Sequence, residues 1–461
     1  MLLATRFFSI NDVVLVPFCI LLLFAILRNR AQTKPPEIRR LYYNLFVFKI
    51  ICVFAFAFIS EFYFGGGDTL LYYKGIKDLR QALSEDPDLF WTIITSPKLS
   101  LDNPLAPYFL YDNYVIDMTY NYMESASNFF VPRLGIIPAM IFNDSYLCIS
   151  LCFSFFALGG AIRLFKFFYY YYPKARREIA LSVMFLPSVG FWSAGVLKDT
   201  ITFGCVGFIL YALLNIFIRK IKIRPSIFWI ILCGYLLFVI KTYIFLILIL
   251  AVVIWLFAET NILIKEKTLR RIFAFFTFVV GFVIGFFLLQ YFTSQESLRQ
   301  YQIDSFISNA EYQRSNYEMV DRMFDQNTSY YSINTSNPFL LVINSIGAVY
   351  FRPFLWEVNS AAAILSAVEA FGFMLLTLHV FYKTGFSAPF RIIFSDPRMM
   401  MSFIFALVFA VGVGASTANF GALSRYKIPC IPFYLIILFL IYLKAKLPYP
   451  RFLSKILKLI K

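Results

Sequence analysis

Long apolar stretches recur along this chain of 461 residues, and they constrain its fold more than any other feature of the sequence. A helix needs about 20 consecutive apolar residues to cross the hydrocarbon core of a bilayer. Stretches of that length are repeated from near the N-terminus almost to the C-terminus. The pattern therefore predicts an all-α fold, a polytopic bundle of transmembrane helices.

About eleven of these stretches qualify as membrane spans by length and hydropathy. The predicted spans are 12–28, 43–61, 145–171, 179–196, 200–218, 226–241, 243–259, 271–292, 359–382, 399–416 and 427–443. The first stretch lacks a basic leader and a small-residue cleavage site, so we expect a retained helix instead of a cleaved signal. We expect the whole chain, 1–461, to form a single transmembrane domain.

The composition excludes other classes of protein. Hydrophobic residues make up 60% of the chain and charged residues only 15%, whereas soluble domains are about half apolar and a quarter charged. The 57 Phe and 30 Tyr exclude a disordered chain, because they offer far too much surface for burial. The net charge of +16 fits cytoplasmic loops rich in Lys and Arg. We therefore expect membrane lipids as partners and no nucleic acid.

The basic loops predict the orientation of the bundle. The segments RNRAQTKPPEIRR, PKARRE, RKIKIR and KEKTLRR fall between alternate pairs of predicted spans, on one side. Loops rich in Lys and Arg stay in the cytoplasm. With eleven spans, the N-terminus lies outside and residues 444–461 form a basic cytoplasmic tail. The expected location is a bacterial inner membrane.

Two long segments, 62–144 and 293–358, then fall on the extracytoplasmic side. They contain the apolar stretches 131–142 and 338–351, which are 12 and 14 residues long. These lengths are too short for a span and suit interfacial or re-entrant helices. Residues 308–324 are predicted to form a short polar helix.

Cysteine and histidine limit the possible metal chemistry. All seven cysteines lie in apolar segments or at their ends, so the sequence predicts no disulfide framework. The only histidine is His379, and one histidine cannot build a histidine-based zinc site. Any metal would be a hard cation bound by carboxylates.

The first polar motif, FGGGDTLLYYKG, follows the second predicted span. Its three glycines allow a sharp turn, after which Asp68 and Tyr72 share one face of a short helix. In the structural interpretation, Asp68 only caps that helix. In the functional interpretation, it is a carboxylate at the membrane surface that acts as a general base or a metal ligand.

The second motif, LPSVGFWSAGVLKDTITF, places Lys198 and Asp199 between two predicted spans. Lys198 is suited to contact a phosphate as a point charge, and Asp199 to hold a lysine or a metal. The structural alternative is a self-neutralising pair that closes a turn.

The third motif is YFRPFLWEVNSA, at the outer start of the ninth predicted span. Arg352 and Glu357 are five residues apart and could pair across a turn. A second interpretation is that Arg352 binds a phosphate or diphosphate group, because its planar guanidinium presents several hydrogen-bond donors. A third possibility is an ordinary interfacial anchor.

The fourth motif, NFGALSRYKIPCIPFYL, enters the last predicted span from outside. It carries Arg425 and Tyr426 just before two prolines. Cations at a helix end often only extend towards the membrane surface. The alternative is that this arginine binds phosphate together with the other three motifs.

All four motifs are predicted on the extracytoplasmic face. They combine anionic and cationic groups, as a metal-assisted phosphate site would. We therefore expect them to gather in one chamber that opens sideways to lipid. An alternative is a transport pathway across the membrane. It is suggested by three charged residues in or next to predicted spans, which are Glu369, Lys49 and Lys241.

The acidic residue in the first large outer loop, the interfacial segment after it and the RY…P…P entry to a late span resemble the GT-C superfamily. These are membrane glycosyltransferases that use polyprenyl-phosphate-linked sugars. In that family the first-loop acidic residue is the catalytic base or part of a metal site, and Asp68 in GGGDTLLYY matches its position. The chain departs from the family in lacking a paired-acid motif in this loop and in having an extra N-terminal span.

The resemblance implies an inverting glycosyltransferase of envelope glycan assembly, with a polyprenyl-phosphate donor and a glycan or lipid acceptor. It leaves open whether the reaction needs a divalent cation, Mg²⁺ or Mn²⁺, for which Asp68 and Asp199 are the candidate ligands. One alternative is an O-antigen-like polysaccharide polymerase or ligase with a lipid-diphosphate donor and no metal. An alternative of another class is a lipid-linked glycan flippase or ion-coupled transporter. The expected substrate-binding residues are Tyr72, Lys198, Asp199, Arg352, Glu357, Arg425 and Tyr426.

Overall fold

The computed structural model describes most of the chain. The described residues are 6–110, 116–262, 266, 268–269, 272, 311–316, 318–319, 330–331, 337–358 and 361–460. Within these ranges the secondary structure is helical, apart from one isolated antiparallel bridge between Tyr330 and Asn419.

The helices up to residue 262 are α1 (Asp12–Ala31), α2 (Pro36–Phe62), α3 (Gly67–Glu85), α4 (Leu89–Thr95), α5 (Ala106–Leu110), α6 (Ile116–Met123), α7 (Ala126–Ile141), α8 (Tyr146–Tyr171), α9 (Arg176–Met184), α10 (Pro187–Trp192), α11 (Lys198–Leu213), α12 (Ile223–Ile240) and α13 (Thr242–Ile262). The helices after residue 337 are α14 (Pro338–Phe351), α15 (Ala361–Thr384), α16 (Ser387–Phe394), α17 (Pro397–Ser416), α18 (Phe420–Tyr426), α19 (Ile431–Lys444) and α20 (Arg451–Leu459).

Eight helices of the described ranges are long and apolar enough to cross a membrane, and the chain is an integral membrane protein. They are α1, α2, α8, α11 with its continuation to Arg219, α12, α13, α15 and α17. The helices α18 and α19 pass the same test together but are bent by 68°.

Two predicted spans differ from the structure, and a third lies outside the part it describes. The predicted span 179–196 is wrong as one helix, because it is broken into α9 and α10. The break comes before Pro187, whose ring disfavours helical geometry at Leu186, and Leu186 is extended with ψ 125°. The predicted span 427–443 is bent, with a regular helix only from Ile431. The predicted span 271–292 lies outside the described residues except for position 272.

The chain divides into two compact units. Unit 1 comprises Met1–Pro173, Ile179–Thr242 and Lys458–Lys461, and unit 2 comprises Lys174–Glu178 and Tyr243–Leu457.

In unit 1, α8 and α11 run parallel and in close contact. Phe156 stacks on Phe208 with ring centroids 5.0 Å apart. A side chain added at Gly160 would overlap with the backbone of Gly204, and one added at Gly207 would overlap with the backbone of Gly160. Small residues let two helix backbones approach in this way, and the gain is van der Waals packing.

The neighbours of this pair run antiparallel to it. Along α8 and α2, Phe155 meets Phe46 and Lys166 meets Tyr42. Along α11 and α12, Phe208 meets Trp229, and the start of α11 meets the end of α12 through Asp199 and Lys241. The N-terminal ends of α8 and α11 therefore lie on the same side of unit 1 as the C-terminal ends of α2 and α12. We call this side the Lys198 end.

Unit 2 is built around the contact between α14 and α17. The Tyr350 hydroxyl donates to the Ala406 carbonyl over 2.7 Å, and the Tyr350 ring stacks on Tyr434 of α19 at 4.0 Å. A side chain at Gly414 would overlap with the backbone of Ser345. The apolar stretch 338–351 is thus a short helix whose C-terminal part is buried in unit 2, while Phe339 and Ile343 near its start are exposed. The stretch 131–142 likewise lies almost wholly in the short helix α7.

Candidate functional site

The glycine motif forms the turn that directs Asp68. The backbone φ angles of Gly65, Gly66 and Gly67 are +64°, +106° and +56°, in a region that only glycine adopts readily. The Gly66 amide donates to the Ser60 carbonyl over 2.7 Å, which folds the chain back onto the end of α2. Gly66 is the N-cap residue of α3, so the structural interpretation, in which Asp68 caps the helix, is wrong. Asp68 lies in the first turn of α3 and is partly exposed.

One turn further along α3, Tyr72 is completely buried. Its hydroxyl donates to Asn128 Oδ1 over 3.1 Å and accepts a hydrogen bond from the Tyr122 hydroxyl at 3.0 Å. Asn128 Nδ2 donates to the Tyr122 carbonyl over 2.8 Å, which closes a ring of hydrogen bonds between α3, α6 and α7. Asp68 and Tyr72 are four residues apart on α3 and share a face, as predicted.

Lys198 begins α11 and contacts the residue next to Asn128. Its Nζ donates to Ser127 Oγ over 2.7 Å. Because Ser127 and Asn128 are consecutive in the first turn of α7, the hydrogen bonds of Lys198 and Tyr72 lie side by side on that helix. Two of the residues selected from the sequence, 126 positions apart, are therefore joined through one helix turn.

Asp199 forms a buried ion pair with Lys241. The exposed fractions of the two side chains are 0% and 8%. Asp199 lies in the first turn of α11, where the positive end of the helix dipole favours a carboxylate. Lys241 is the C-cap residue of α12, where the negative end favours a cation. The pair fastens the two helices together, in keeping with the expectation that Asp199 holds a lysine.

These residues form one group, the Lys198 cluster, at the Lys198 end of unit 1. It consists of Tyr72, Tyr122, Ser127, Asn128, Lys198, Asp199 and Lys241. Sequence analysis singled out the charged members and Tyr72 but missed Tyr122, Ser127 and Asn128. Uncharged polar residues in a helical segment are too common in sequences to be selected without their partners.

The cluster offers few ligands for a metal ion. In the described ranges, no group of three or more histidine, cysteine or carboxylate side chains is arranged to hold one. Of the two predicted ligands, Asp199 is already neutralised by Lys241. Asp68 is the predicted ligand whose carboxylate is partly exposed.

Lys49, in the middle of α2, has a structural role in unit 1. Its Nζ donates to the carbonyls of Ser193 and Gly190 over 3.0 and 3.5 Å. These carbonyls belong to the C-terminal end of α10. A lysine there satisfies carbonyls that lack helical partners, and it fastens the short helix to α2.

In unit 2, Arg352 and Glu357 pair across the turn that follows α14, as one reading of the motif predicted. Arg352 Nε donates to Glu357 Oε1 over 3.0 Å, and the Phe354 amide donates to the other carboxylate oxygen over 2.9 Å. The guanidinium also lies over the rings of Tyr331 and Phe420, with centroids at 4.7 and 5.4 Å. Cation–π contacts and an ion pair together fix the orientation of this arginine.

A second arginine beside Tyr331 was missed. Arg314 is buried and donates to the carbonyls of Thr417 and Tyr331 over 2.9 and 3.1 Å. It thereby caps the end of α17. Residues 311–316 and 318–319 are helical, within the predicted polar helix 308–324, whose other positions lie outside the described residues.

The fourth motif forms α18 and the bend before α19. Arg425 and Tyr426 are partly exposed, and the guanidinium lies 5.8 Å from the centre of the Tyr426 ring. Lys427 is buried, donates to the Arg352 carbonyl over 3.4 Å and interacts electrostatically with Glu369. The third and fourth motifs are thus linked within unit 2.

The predicted site residues are divided between the two units. Unit 1 contains Asp68, Tyr72, Lys198 and Asp199, and unit 2 contains Arg352, Glu357, Arg425 and Tyr426. Unit 1 links Tyr72 to Lys198 through α7, and unit 2 links Arg352 to Glu357 and, through Lys427, to the fourth motif. A single chamber formed by all four motifs stays a prediction. Comparison with known protein families, with curated proteins and with solved structures finds no match to this chain.

Proposed function

We propose that this protein is a membrane glycosyltransferase that uses a polyprenyl-phosphate-linked sugar donor in cell-envelope glycan assembly. The observation that carries the proposal is the Lys198 cluster. It joins a phosphate-binding type of residue, Lys198, through α7 to Tyr72, one helical turn from the carboxylate of Asp68. A base, and a cation held by a partly buried hydrogen bond, are what transfer from a phosphate leaving group requires.

The proposed topology puts this site on the extracytoplasmic face of a bacterial inner membrane. The basic loops support a cytoplasmic location for the opposite ends of the helices. The proposal has eleven spans, with the N-terminus outside and the C-terminus in the cytoplasm. The short apolar helices α7 and α14 are the interfacial or re-entrant elements of the two long outer segments.

The proposed chemistry assigns different roles to the two units. In unit 1, Asp68 deprotonates the acceptor hydroxyl and Lys198 balances the charge of the leaving phosphate. In unit 2, Arg352 and Arg425 are the proposed phosphate-binding residues, with Glu357 holding Arg352 in place. The polyprenyl tail stays in the bilayer, and the glycan or lipid acceptor approaches from the aqueous side.

A second candidate, a polysaccharide polymerase or ligase with a lipid-diphosphate donor, is favoured by the pairing of Asp199 with Lys241. That pair neutralises Asp199, which is one of the two predicted metal ligands. A reaction that needs no metal is compatible with this loss of a ligand. Adding EDTA to purified protein separates the two versions. Loss of transfer that Mg²⁺ or Mn²⁺ restores supports a cation bound at Asp68, whereas full activity in EDTA supports the metal-free version.

A cellular experiment tests the proposed function as a whole. A strain that lacks the gene is complemented with the wild-type protein or with the Asp68→Asn variant, and lipid-linked sugars are quantified by mass spectrometry. We expect the donor to accumulate and the mature glycan to disappear with the variant but not with the wild type. The exposed Asp102 of the same outer segment provides the control Asp102→Asn. Normal glycan with Asp68→Asn at normal protein levels would refute the proposal.

A further inference from the structure

A second polar cleft lies on α3, away from its first turn. Its volume is about 860 Å³, within the range of small-ligand sites. We call it the α3 cleft. One wall is the C-terminal half of α3 from Lys77 to Glu85, and the other includes Pro104, Pro107 and Tyr108. A smaller cavity of about 370 Å³ adjoins it through Lys77 and Asp144, which line both.

Asp144 and Arg80 line the end of the α3 cleft that adjoins the smaller cavity. They pair over 2.5 Å through Arg80 Nη2 and Asp144 Oδ2. Asp144 has a φ of +58°, and its carbonyl accepts a hydrogen bond of 2.7 Å from the Tyr73 hydroxyl. Burial, and then the charge of Asp144, raises the pKa of Tyr73 to about 12, so the hydroxyl stays protonated and keeps this bond. The carboxylate is therefore held in a fixed position.

Two buried atoms at this end have unused hydrogen-bonding capacity. Asp144 Oδ1 and Arg80 Nε have no hydrogen-bond partner among the described residues. The first is an acceptor and the second a donor, and leaving such atoms unsatisfied is unfavourable. Both atoms are shielded from solvent, so a ligand hydroxyl, which donates and accepts, reaches them only when the Arg80 and Asp144 side chains shift. The other polar groups of the cleft include the amide of Gln81 and the hydroxyl of Ser84.

The charge of the α3 cleft disfavours an anionic ligand. It is lined by four carboxylates and two cations. The carboxylates are Asp78, Glu85, Asp86 and Asp144, and the cations are Lys77 and Arg80. A phosphate or a uronic acid would meet more negative than positive charge, and like charges in one site repel. An uncharged ligand rich in hydroxyls would meet carboxylate acceptors there, while Gln81 Nε2 already donates to Glu85 Oε1 and Arg80 pairs with Asp144.

We propose that the α3 cleft binds an uncharged oligosaccharide, the acceptor glycan of the transfer reaction. Its identification as the acceptor rests on the proposed function, whereas the binding of a neutral saccharide does not. On this view the anionic donor is bound by basic residues and the neutral acceptor by a separate, net acidic cleft. The two substrates are then sorted by charge.

The test measures saccharide binding without any donor. The full-length protein in lipid nanodiscs is titrated with maltotetraose, cellotetraose or chitotetraose, and with tetragalacturonate as the anionic probe, by saturation-transfer NMR and calorimetry. We expect at least one neutral tetrasaccharide to bind and tetragalacturonate to bind at least tenfold more weakly. Ser84→Trp fills the cleft without changing its charge, and it should weaken neutral binding more than tenfold. Lys98→Ala, an exposed site outside the cleft, should leave binding unchanged.

The outcomes separate this inference from the proposed function. Binding that is lost in Ser84→Trp supports the cleft, and it does so even if no transfer activity is found. No binding of any neutral tetrasaccharide, equal binding to Ser84→Trp or tighter binding of tetragalacturonate would overturn the inference. Transfer activity that persists in Ser84→Trp would leave the glycosyltransferase proposal standing and remove the acceptor from this cleft. Unchanged unfolding temperatures of the variants show that they fold.

Discussion

Asp199 and Lys241 are 42 residues apart in the chain and form a buried ion pair between the start of α11 and the end of α12. The pair lies directly beside Lys198, because Lys198 and Asp199 are consecutive. It fixes the end of α11 and so also fixes the position from which Lys198 reaches α7. The stability of this end of unit 1 and the proposed phosphate site are therefore coupled through one backbone segment.

Breaking this ion pair should destabilise the protein strongly. Asp199→Asn leaves the buried Lys241 without its counter-charge, at a cost of about 3–5 kcal/mol. We expect a clear fall in the unfolding temperature of the purified protein in detergent, measured by intrinsic fluorescence. The double variant Asp199→Asn with Lys241→Met should recover a large part of the loss. Equal unfolding temperatures for wild type and Asp199→Asn would contradict the structural role of the pair.

Removing the charge of Lys198 should affect transfer more than stability. Lys198→Met should lower the transfer rate by about 10²-fold, the typical loss when one group that stabilises developing negative charge is removed. Ser127→Ala keeps the charge and removes only its hydrogen-bond partner, so it should cost less than tenfold. The measurement is the rate of glycan transfer at saturating donor. Similar rates for Lys198→Met and the wild type would exclude Lys198 from the phosphate site.

The glycine turn should not tolerate a side chain at its centre. Gly66 has a φ of +106°, and an added Cβ would lie 2.6 Å from Leu70 Cδ2. Gly66→Ala should therefore cost about 1–3 kcal/mol and displace the first turn of α3, with loss of transfer. The matched control is Gly412→Ala, because Gly412 is in α17 and nothing lies within 4 Å of its added Cβ. Full activity of Gly66→Ala would show that the turn does not position Asp68.

The contact between α8 and α11 depends on small residues. Gly207→Val should destabilise unit 1 by about 1–3 kcal/mol, because the new side chain would overlap with the backbone of Gly160. Gly412→Val serves as the control for valine in a transmembrane helix. The unfolding temperatures of the two variants are compared in detergent. A larger fall in unfolding temperature for Gly412→Val than for Gly207→Val would argue against the observed packing of α8 and α11.

The membrane spans follow from the sequence because burial in lipid demands long apolar runs. The predicted span 12–28 corresponds to α1, and 145–171 corresponds to α8. The prediction was wrong at 179–196, where Pro187 interrupts an otherwise apolar run. Hydropathy reports the polarity of a segment but not whether its backbone is continuous, so a broken span looks like an intact one. The bend before Ile431 was missed for the same reason.

Apart from Tyr72, which was selected because it shares a helix face with Asp68, the members of the Lys198 cluster were predictable where a charge stands out against an apolar background. Lys198, Asp199 and Arg352 were selected in this way, and the pairing of Arg352 with Glu357 followed from their spacing across a turn. The pairing of Asp199 with Lys241 could not be predicted from the sequence, because a contact between residues 42 positions apart depends on how α11 and α12 pack. Asp144 was missed as well, since an Asp that ends a loop is usually only a turn residue.

The most direct test of the central claim is the transfer rate of Asp68→Asn measured with purified protein in nanodiscs, with the polyprenyl-phosphate sugar and the acceptor supplied. The account predicts a fall of about 10²–10⁴-fold, typical for loss of a general base, at an unchanged unfolding temperature. Asp102→Asn should retain the wild-type rate. Transfer at the wild-type rate by Asp68→Asn would contradict the account, because the carboxylate that the glycine turn presents would then take no part in the reaction.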